Sequence, residues 1–368
     1  MSQYCSKCGT QLDDDAVFCT SCGHQVGAPV VVVKEAASEK VSMINKFANK
    51  VDAMAGGEGN AELRFKDLFS EVFTKHGSEE AEELFICGTS KTTPEETSIS
   101  DEWPKPWLFS RVFLGLLVAY GLLYALLMVF ENILAIPGII FMGSIAAPFS
   151  VLVFFFEINA PRNISIFQTV SIFLIGGCLS LIITMCLYMY VDTGSMSIVS
   201  AILIGVIEEI GKIVTTAIFI KRLNRCKYIF NGMLIGAAVG AGFAAFESAG
   251  YAFEVLLGAQ LFKEMTDVIL LRGILSPGGH VAWAAIEGAA IIISLNGAEF
   301  SWNALFDKHF LSLSIICVVL HAIWDMPIFI GGILVYGKLA ALVVVAWITL
   351  IVLINRGLKQ INKGIAEA

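Results

Sequence analysis

IGVIEEIGKI, residues 204–213, sets a glutamate pair and a lysine inside a long apolar run. In a soluble core helix Glu208, Glu209 and Lys212 would be an oddity; in a membrane span each charge costs at least ~2.5–3.5 kcal/mol on insertion scales. The rest of the chain selects the second setting. Of its 368 residues 57% are hydrophobic and 15% charged, and the mean hydropathy is +0.77, whereas soluble domains carry about a quarter charged residues. The composition is that of an all-α polytopic membrane protein. Apolar runs begin near Trp107, so a polar N-terminal part precedes the membrane part. The formal net charge of −8, concentrated in clusters such as Asp13, Asp14 and Asp15 or Glu79, Glu80, Glu82 and Glu83, argues against a nucleic-acid partner.

The opening MSQYCSKCGT has neither a basic start nor an apolar core, so the N-terminus is expected in the cytoplasm. Residues 1–26 contain Cys5-x-x-Cys8 and Cys19-x-x-Cys22, each pair followed by glycine. Four thiolates in two such turns make a closed tetrahedral site for structural zinc, and the spacing resembles short zinc ribbons. So short a segment buries little core, so the metal would supply its folding free energy. Residues 27–60 read as a linker. Over 61–106 the pattern predicts a cytoplasmic helical hairpin and tether, with Phe65, Leu68, Phe69, Val72 and Phe73 on one helical face and Ala81, Leu84 and Phe85 on the next.

Runs of about 20 apolar residues, the length that crosses ~30 Å of hydrocarbon, predict about eight transmembrane helices, near 108–130, 133–156, 166–190, 198–220, 229–256, 277–295, 311–332 and 336–355. Pro137 and Pro148 threaten the second. With the N-terminus inside, cytoplasmic loops hold Arg162, Lys221, Arg222, Arg225, Lys227 and Lys308, and a tail over 357–368 adds Lys359 and Lys363 to Arg356. The outer loops hold Lys263, Arg272 and Lys338. This bias places a multi-pass protein in the cell membrane with both termini cytoplasmic.

Ionisable residues within the spans gather in four places: Glu208, Glu209 and Lys212; Glu247 and Tyr251; His280 and Glu287; His321 and Asp325. Glu208/Lys212, Glu247/Tyr251 and His321/Asp325 each sit four apart, on one helix face. At ~1.5 Å per residue three of the groups lie ~14–17 Å below the outer surface, with His280 shallower. Glu254 and Glu287 read as structural or rim residues, and Cys178, Cys186, Cys226 and Cys317 as packing residues.

EEIGK at 208–212, FESAGY at 246–251, Arg272 followed by His280, and HAIWD at 321–325 resemble the EExxK, FExxxY, R…H and HxxxD motifs of the PrsW family of intramembrane proteases, relatives of the CAAX-processing and bacteriocin-processing membrane proteases. The resemblance covers roughly residues 108 to 355, within a protease domain placed at 107–356. It implies hydrolysis of a membrane-tethered protein substrate, such as an anti-sigma factor, near its extracytoplasmic end. By the same resemblance Glu208 or Glu209 is the general base, with Glu208 favoured because it shares a face with Lys212. His280 would assist water activation, His321 with Asp325 would orient a donor to the oxyanion, and Glu247 with Tyr251 would complete the proton network. No organic cofactor is expected. With no HExxH present, a glutamate-activated water is favoured over a catalytic metal, which the two histidines leave open. The rival readings are a proton-coupled transporter, which calls for internal repeats and a polar path to both faces, and a non-catalytic membrane sensor or scaffold. Membrane lipid is the second expected partner.

Overall fold

The computed structural model describes residues 3–4, 8–12, 19, 21–22, 32–191, 194, 197–259, 262–327 and 333–367. They form two compact units, Met1–Phe47 and Ala48–Ala368.

In the first unit β1 (Gln3–Tyr4) pairs antiparallel with β2 (Gln11–Leu12), Gln3 opposite Leu12. The turn between them passes through Gly9 at φ +73°, a left-handed conformation open to glycine, which explains the residue after Cys8. The sulfurs of Cys8, Cys19 and Cys22 lie within 4.8 Å of one another, and Cys8 Sγ stands 3.5 Å from Cys19 Sγ. Thiolates sharing one zinc at ~2.3 Å each require such spacing. The Thr10 hydroxyl, 3.2 Å from Cys8 Sγ, is the main cause that lowers this thiol to about 6, which favours the thiolate a metal needs. Cys5 lies outside the described residues.

The stretch expected as a linker is helical over α1 (Val32–Met54). Its last turns belong to the second unit, where Ala48 and Val51 share a fully buried face. Asp52 then closes the turn by accepting from Gly59 N at 2.8 Å. The helix predicted over 61–75 shrinks to α2 (Phe65–Leu68), followed by turns. Its apolar face is used nonetheless: Leu68 is fully buried, and Phe65 and Phe69 pack 6.4 and 6.2 Å from Trp347. Phe73 is left exposed. The second hairpin helix is α3 (Ser78–Phe85), entered from Gly77.

α4 (Leu108–Phe130) begins where Glu157 accepts from the backbone N–H groups of Trp107, Leu108 and Phe109, each at 2.8 Å. A carboxylate on these orphan donors completes the helix N-terminus. Glu157 ends α5 (Ile136–Glu157), which both prolines leave intact. Pro137 falls in the first turn, where no N–H is required, and Pro148 inside the helix does not end it. α6 (Ile166–Ser171) runs through a π turn at 172–176 into α7 (Gly177–Tyr188). α8 (Ile198–Leu223) opens on a Ser197 capping box and closes at Asn224 with φ 45°. There follow α9 (Ile229–Ala259), α10 (Phe262–Leu275), α11 (His280–Leu295), α12 (Lys308–Asp325) and α13 (Ile333–Glu367). α10 replaces an expected outer loop: Met265, Ile269 and Phe262 pack on Tyr120, Leu127, Ile139 and Ala252, an apolar stripe obscured in the sequence by Lys263, Glu264, Asp267 and Arg272. The tail expected after residue 356 continues α13.

Seven segments among the described residues are long and apolar enough to cross a membrane. α8 is not among them although its 26 residues would suffice, because every 18-residue window of it contains Glu208, Glu209 and Lys212. The stretches that flank the spans agree with its crossing as well. Asn362 Nδ2 donates to Asp101 at 2.9 Å and Arg356 to Gly56 O at 3.0 Å, so the stretches before α4 and at the end of α13 meet at one end of the bundle. Seven crossings would leave these stretches at opposite ends, whereas eight among the described residues, with α8 included, agree with their meeting. Inside the bundle α9 and α11 approach closely, with Gly232, Gly236 and Gly240 spaced every four residues against Gly288, Ala284 and His280. Small residues at this period let two helix backbones touch.

Candidate active site

The charged stretch of α8 faces α7, α9, α11 and α12. Gly205 allows α12 to approach, since a Cβ there would stand 3.1 Å from Ala322 N and 3.4 Å from His321 Cβ. His321 is thereby laid across the glutamate pair. Its Nδ1 bonds Glu209 Oε1 at 2.5 Å, while Nε2 faces Glu208 Oε2 at 3.4 Å and Asp325 Oδ2 at 3.3 Å. Glu209 is fully buried and also holds Lys212 Nζ at 2.7 Å. The expected Glu208/Lys212 pair is therefore a Glu209/Lys212 pair, three residues apart instead of four. Both spacings share a helix face, and the flexible lysine stem decides between them.

Lys212 Nζ also lies 3.0 Å from His280 Nδ1, whose ring bonds Glu247 Oε2 through Nε2 at 3.0 Å. His280 thus stands level with the other groups, not shallower as expected, because α10 and the 3-10 turn Ser276–Gly278 bring the chain down before α11 starts. Arg272 on α10 bonds Glu247 and donates to Ser248 Oγ at 2.9 Å. Its guanidinium lies 4.6 Å over the Tyr251 ring. Tyr251 is half exposed and, among the described residues, its hydroxyl bonds none of the site carboxylates. The phenol that enters the site is Tyr188 of α7, whose hydroxyl donates to Glu208 Oε1 at 2.8 Å.

Four expected groups therefore converge, and Tyr251 lines the same cavity without bonding the site carboxylates among the described residues. Three further residues join that sequence reasoning did not select: Tyr188, an ordinary aromatic in an apolar run; Glu287, fully buried near Glu209 and Lys212; and Lys338, which donates to Ile323 O and Trp324 O at the end of α12, both at 3.0 Å. A cavity of about 710 Å³ reaches this centre, walled by Leu181, Met185 and Leu271 and floored by Glu208, His280 and His321.

Glu208 Oε2 is buried with no hydrogen-bond partner. With Nδ1–H of His321 given to Glu209, the Nε2 of a neutral ring is an acceptor facing two carboxylate oxygens. Three converging acceptors need a positive centre between them, either a second proton on His321 or a cation. Donor atoms of Glu208, His280 and His321 lie within 4.8 Å of one another. Each imidazole is also gripped by a carboxylate on its far nitrogen, the arrangement that orients metal-bound histidines. The donor set fits a divalent cation of the His₂Glu type, with Lys212 competing for His280 Nδ1.

A family model described as PrsW family intramembrane metalloprotease matches residues 161–354, and a zinc-ribbon domain model matches residues 4–26. No curated protein and no solved structure matches the chain.

Proposed function

Since the chain belongs to the PrsW family of intramembrane metalloproteases, we propose that it hydrolyses a peptide bond of a membrane-tethered protein with a water activated at Glu208, His280 and His321. The observation that carries this reading is the free oxygen of Glu208, buried at the end of the cavity and facing two imidazoles. Tyr188 anchors Oε1 and leaves Oε2 to take a proton from water. The resulting hydroxide adds to the scissile carbonyl; the carbon–nitrogen bond then breaks and the proton passes to the leaving amine. Lys212 and His321, both buried, supply positive charge where negative charge develops. Glu209 and Glu247 orient the two histidines. In place of a second proton on His321, a divalent cation held by Glu208, His280 and His321 would supply the positive charge and a Lewis acidity that lowers the pKa of water.

The substrate is a single-span protein, an anti-sigma factor being one such class, cut near its extracytoplasmic side. In support, the basic residues expected inside share one end of the bundle: Arg162 reaches Glu83 O, Lys227 reaches Glu96, and Gln360 reaches Lys227 O. We assign that end and both termini to the cytoplasm of a cell-membrane protein.

The test is co-reconstitution of the chain with candidate single-span substrates. Cleavage by wild type and its loss in Glu208→Gln, Glu209→Gln and His321→Ala are expected. Unchanged cleavage in all three sinks the protease assignment, and proton flux without proteolysis favours a transporter. Metal content of the purified chain separates the two water-activating schemes, since His321→Ala would carry one zinc fewer than wild type when the site holds an ion.

A further inference from the structure

The last carbonyls of a helix have no partner within it and must find donors elsewhere. At the end of α4 the chain supplies one itself: Glu131 turns left-handed and Asn132 N returns to Leu126 O at 3.1 Å, a common way to stop a helix. α12 cannot do the same. Its closing residue Met326 is extended, at φ −56° and ψ 128°, and the next is Pro327, which has no N–H to return. Met326 N still takes Ala322 O at 2.9 Å, and the carbonyls beyond it are collected by one side chain of α13. Lys338 Nζ donates to Ile323 O and Trp324 O at 3.0 Å each and to Met326 O at 3.3 Å. An ammonium has three protons, so these bonds use them all, and its charge sits at the negative end of the helix dipole. Trp324 and Met326 flank Asp325, whose carboxylate stands 3.3 Å from His321 Nε2. The end of a helix is where it frays, and here that end carries a group of the candidate site.

We propose that Lys338 is a positioning residue for the His321–Asp325 pair: by capping α12 from α13 it holds the backbone on both sides of Asp325 and so keeps that carboxylate beside the imidazole. The inference rests on the protease reading for its kinetic consequence but not for the helix cap. Lys338 belongs to none of the four motifs that carry the family resemblance, and its protons go to backbone oxygens, so it acts through α12 and not on the water. Without the ammonium the three carbonyls would be left to the cavity that Lys338 and Asp325 both line. The turn would then unwind from its end to reach water, and Asp325 would leave His321.

Kinetics on the reconstituted full chain and hydrogen exchange test it. Lys338→Met keeps the length of the stem without a donor and is expected to lose about tenfold to a hundredfold in kcat, the scale of a misplaced group at a reacting centre, with KM little changed. Lys338→Arg keeps a cation with several N–H groups and should recover most of that loss. In an Asp325→Asn background Lys338→Met should cost no more than about threefold further, because groups that act as a unit are not additive. Full kcat in a folded Lys338→Met, an arginine variant no better than the methionine one, or losses that multiply with Asp325→Asn would overturn the proposal. The exchange measurement needs no substrate: the Met326 amide should exchange faster in Lys338→Met than in wild type while the end of α4 is unchanged, and equal protection at Met326 also overturns the cap. Glu208→Gln is run beside them, and if it cleaves like wild type the protease reading falls while the exchange result still decides the cap.

Discussion

Gly240 is the place where helix packing and chemistry are most tightly joined, and Gly240→Ala is the perturbation that separates them. A methyl at this position would stand 2.8 Å from Ala284 Cβ and 3.0 Å from the His280 carbonyl carbon, and closer still to the oxygen of that carbonyl. Carbon pairs settle at about 3.5–4.0 Å, so α11 must retreat by about 1 Å at its first turn. The His280 bonds to Lys212 and Glu247, both 3.0 Å, would then approach 4 Å, about half an ångström beyond a hydrogen bond. Overpacking of this kind costs roughly 1–3 kcal/mol, which a fold of about 5–15 kcal/mol survives. A misplacement of ~1 Å at a reacting centre costs on the order of 100-fold in rate. The assay is kcat/KM on a reconstituted single-span substrate, read beside thermal unfolding. Gly121→Ala on α4, whose methyl meets nothing within 4 Å, is the control and should keep full activity. A folded Gly240→Ala enzyme cleaving within threefold of wild type would show that the α9–α11 spacing does not place His280.

Removing the Tyr188 hydroxyl takes a 2.8 Å bond from Glu208; at ~1.5–3 kcal/mol for a bond to a charged group, Tyr188→Phe should slow cleavage about tenfold to a hundredfold, whereas Tyr251→Phe should stay within threefold. Equal losses in the two variants would refute the assignment of the working phenol. At the start of α12, Asp307 caps the helix by accepting from His309 N at 2.8 Å, and this backbone N–H holds its carboxyl below the usual carboxylate range. A depressed carboxyl stabilises above its unfolded value and loses that contribution as pH falls through the folded one. Hydrogen exchange in the first turn of α12 should therefore quicken, relative to the chain's other helix ends, as pH drops below about 4, and Asp307→Asn should abolish that dependence.

Charges in apolar runs are conspicuous, and this is why α8, α9, α11 and α12 and most of their site residues were legible in the sequence. What escaped lacked that contrast. Tyr188 reads as one more aromatic facing lipid until its neighbour across the helix pair is known. Glu287 has no ionisable partner within four positions of its own helix, so spacing marks it as structural, and its real neighbour comes from α8. α10 was lost for the opposite reason: Lys263, Glu264, Asp267 and Arg272 make its sequence resemble a loop, while the buried Met265 and Ile269 stripe is too short to register as a span. Gly205 and Gly240 carry no charge at all, yet the close contacts they permit bring His321 and His280 to the glutamates.

The two adjacent glutamates that open the question end with opposite duties, and their environments say why. Successive helix residues point about 100° apart, so Glu208 and Glu209 meet different neighbours. Glu209 turns inward to a lysine and an imidazole, and a carboxylate bound by both is poorly placed to take up a proton from water. Glu208 turns to the cavity with one oxygen tied to a phenol and the other untied. Replacing a buried ion pair by apolar residues is often neutral or stabilising, so folding alone gives no reason to keep Glu209 and Lys212 in the bundle. What they do in this structure is aim His321, and His321 with His280 faces the free oxygen of Glu208. On the proposed mechanism the first glutamate of IGVIEEIGKI handles the water, and the second, with the lysine three residues on, holds the imidazole in place.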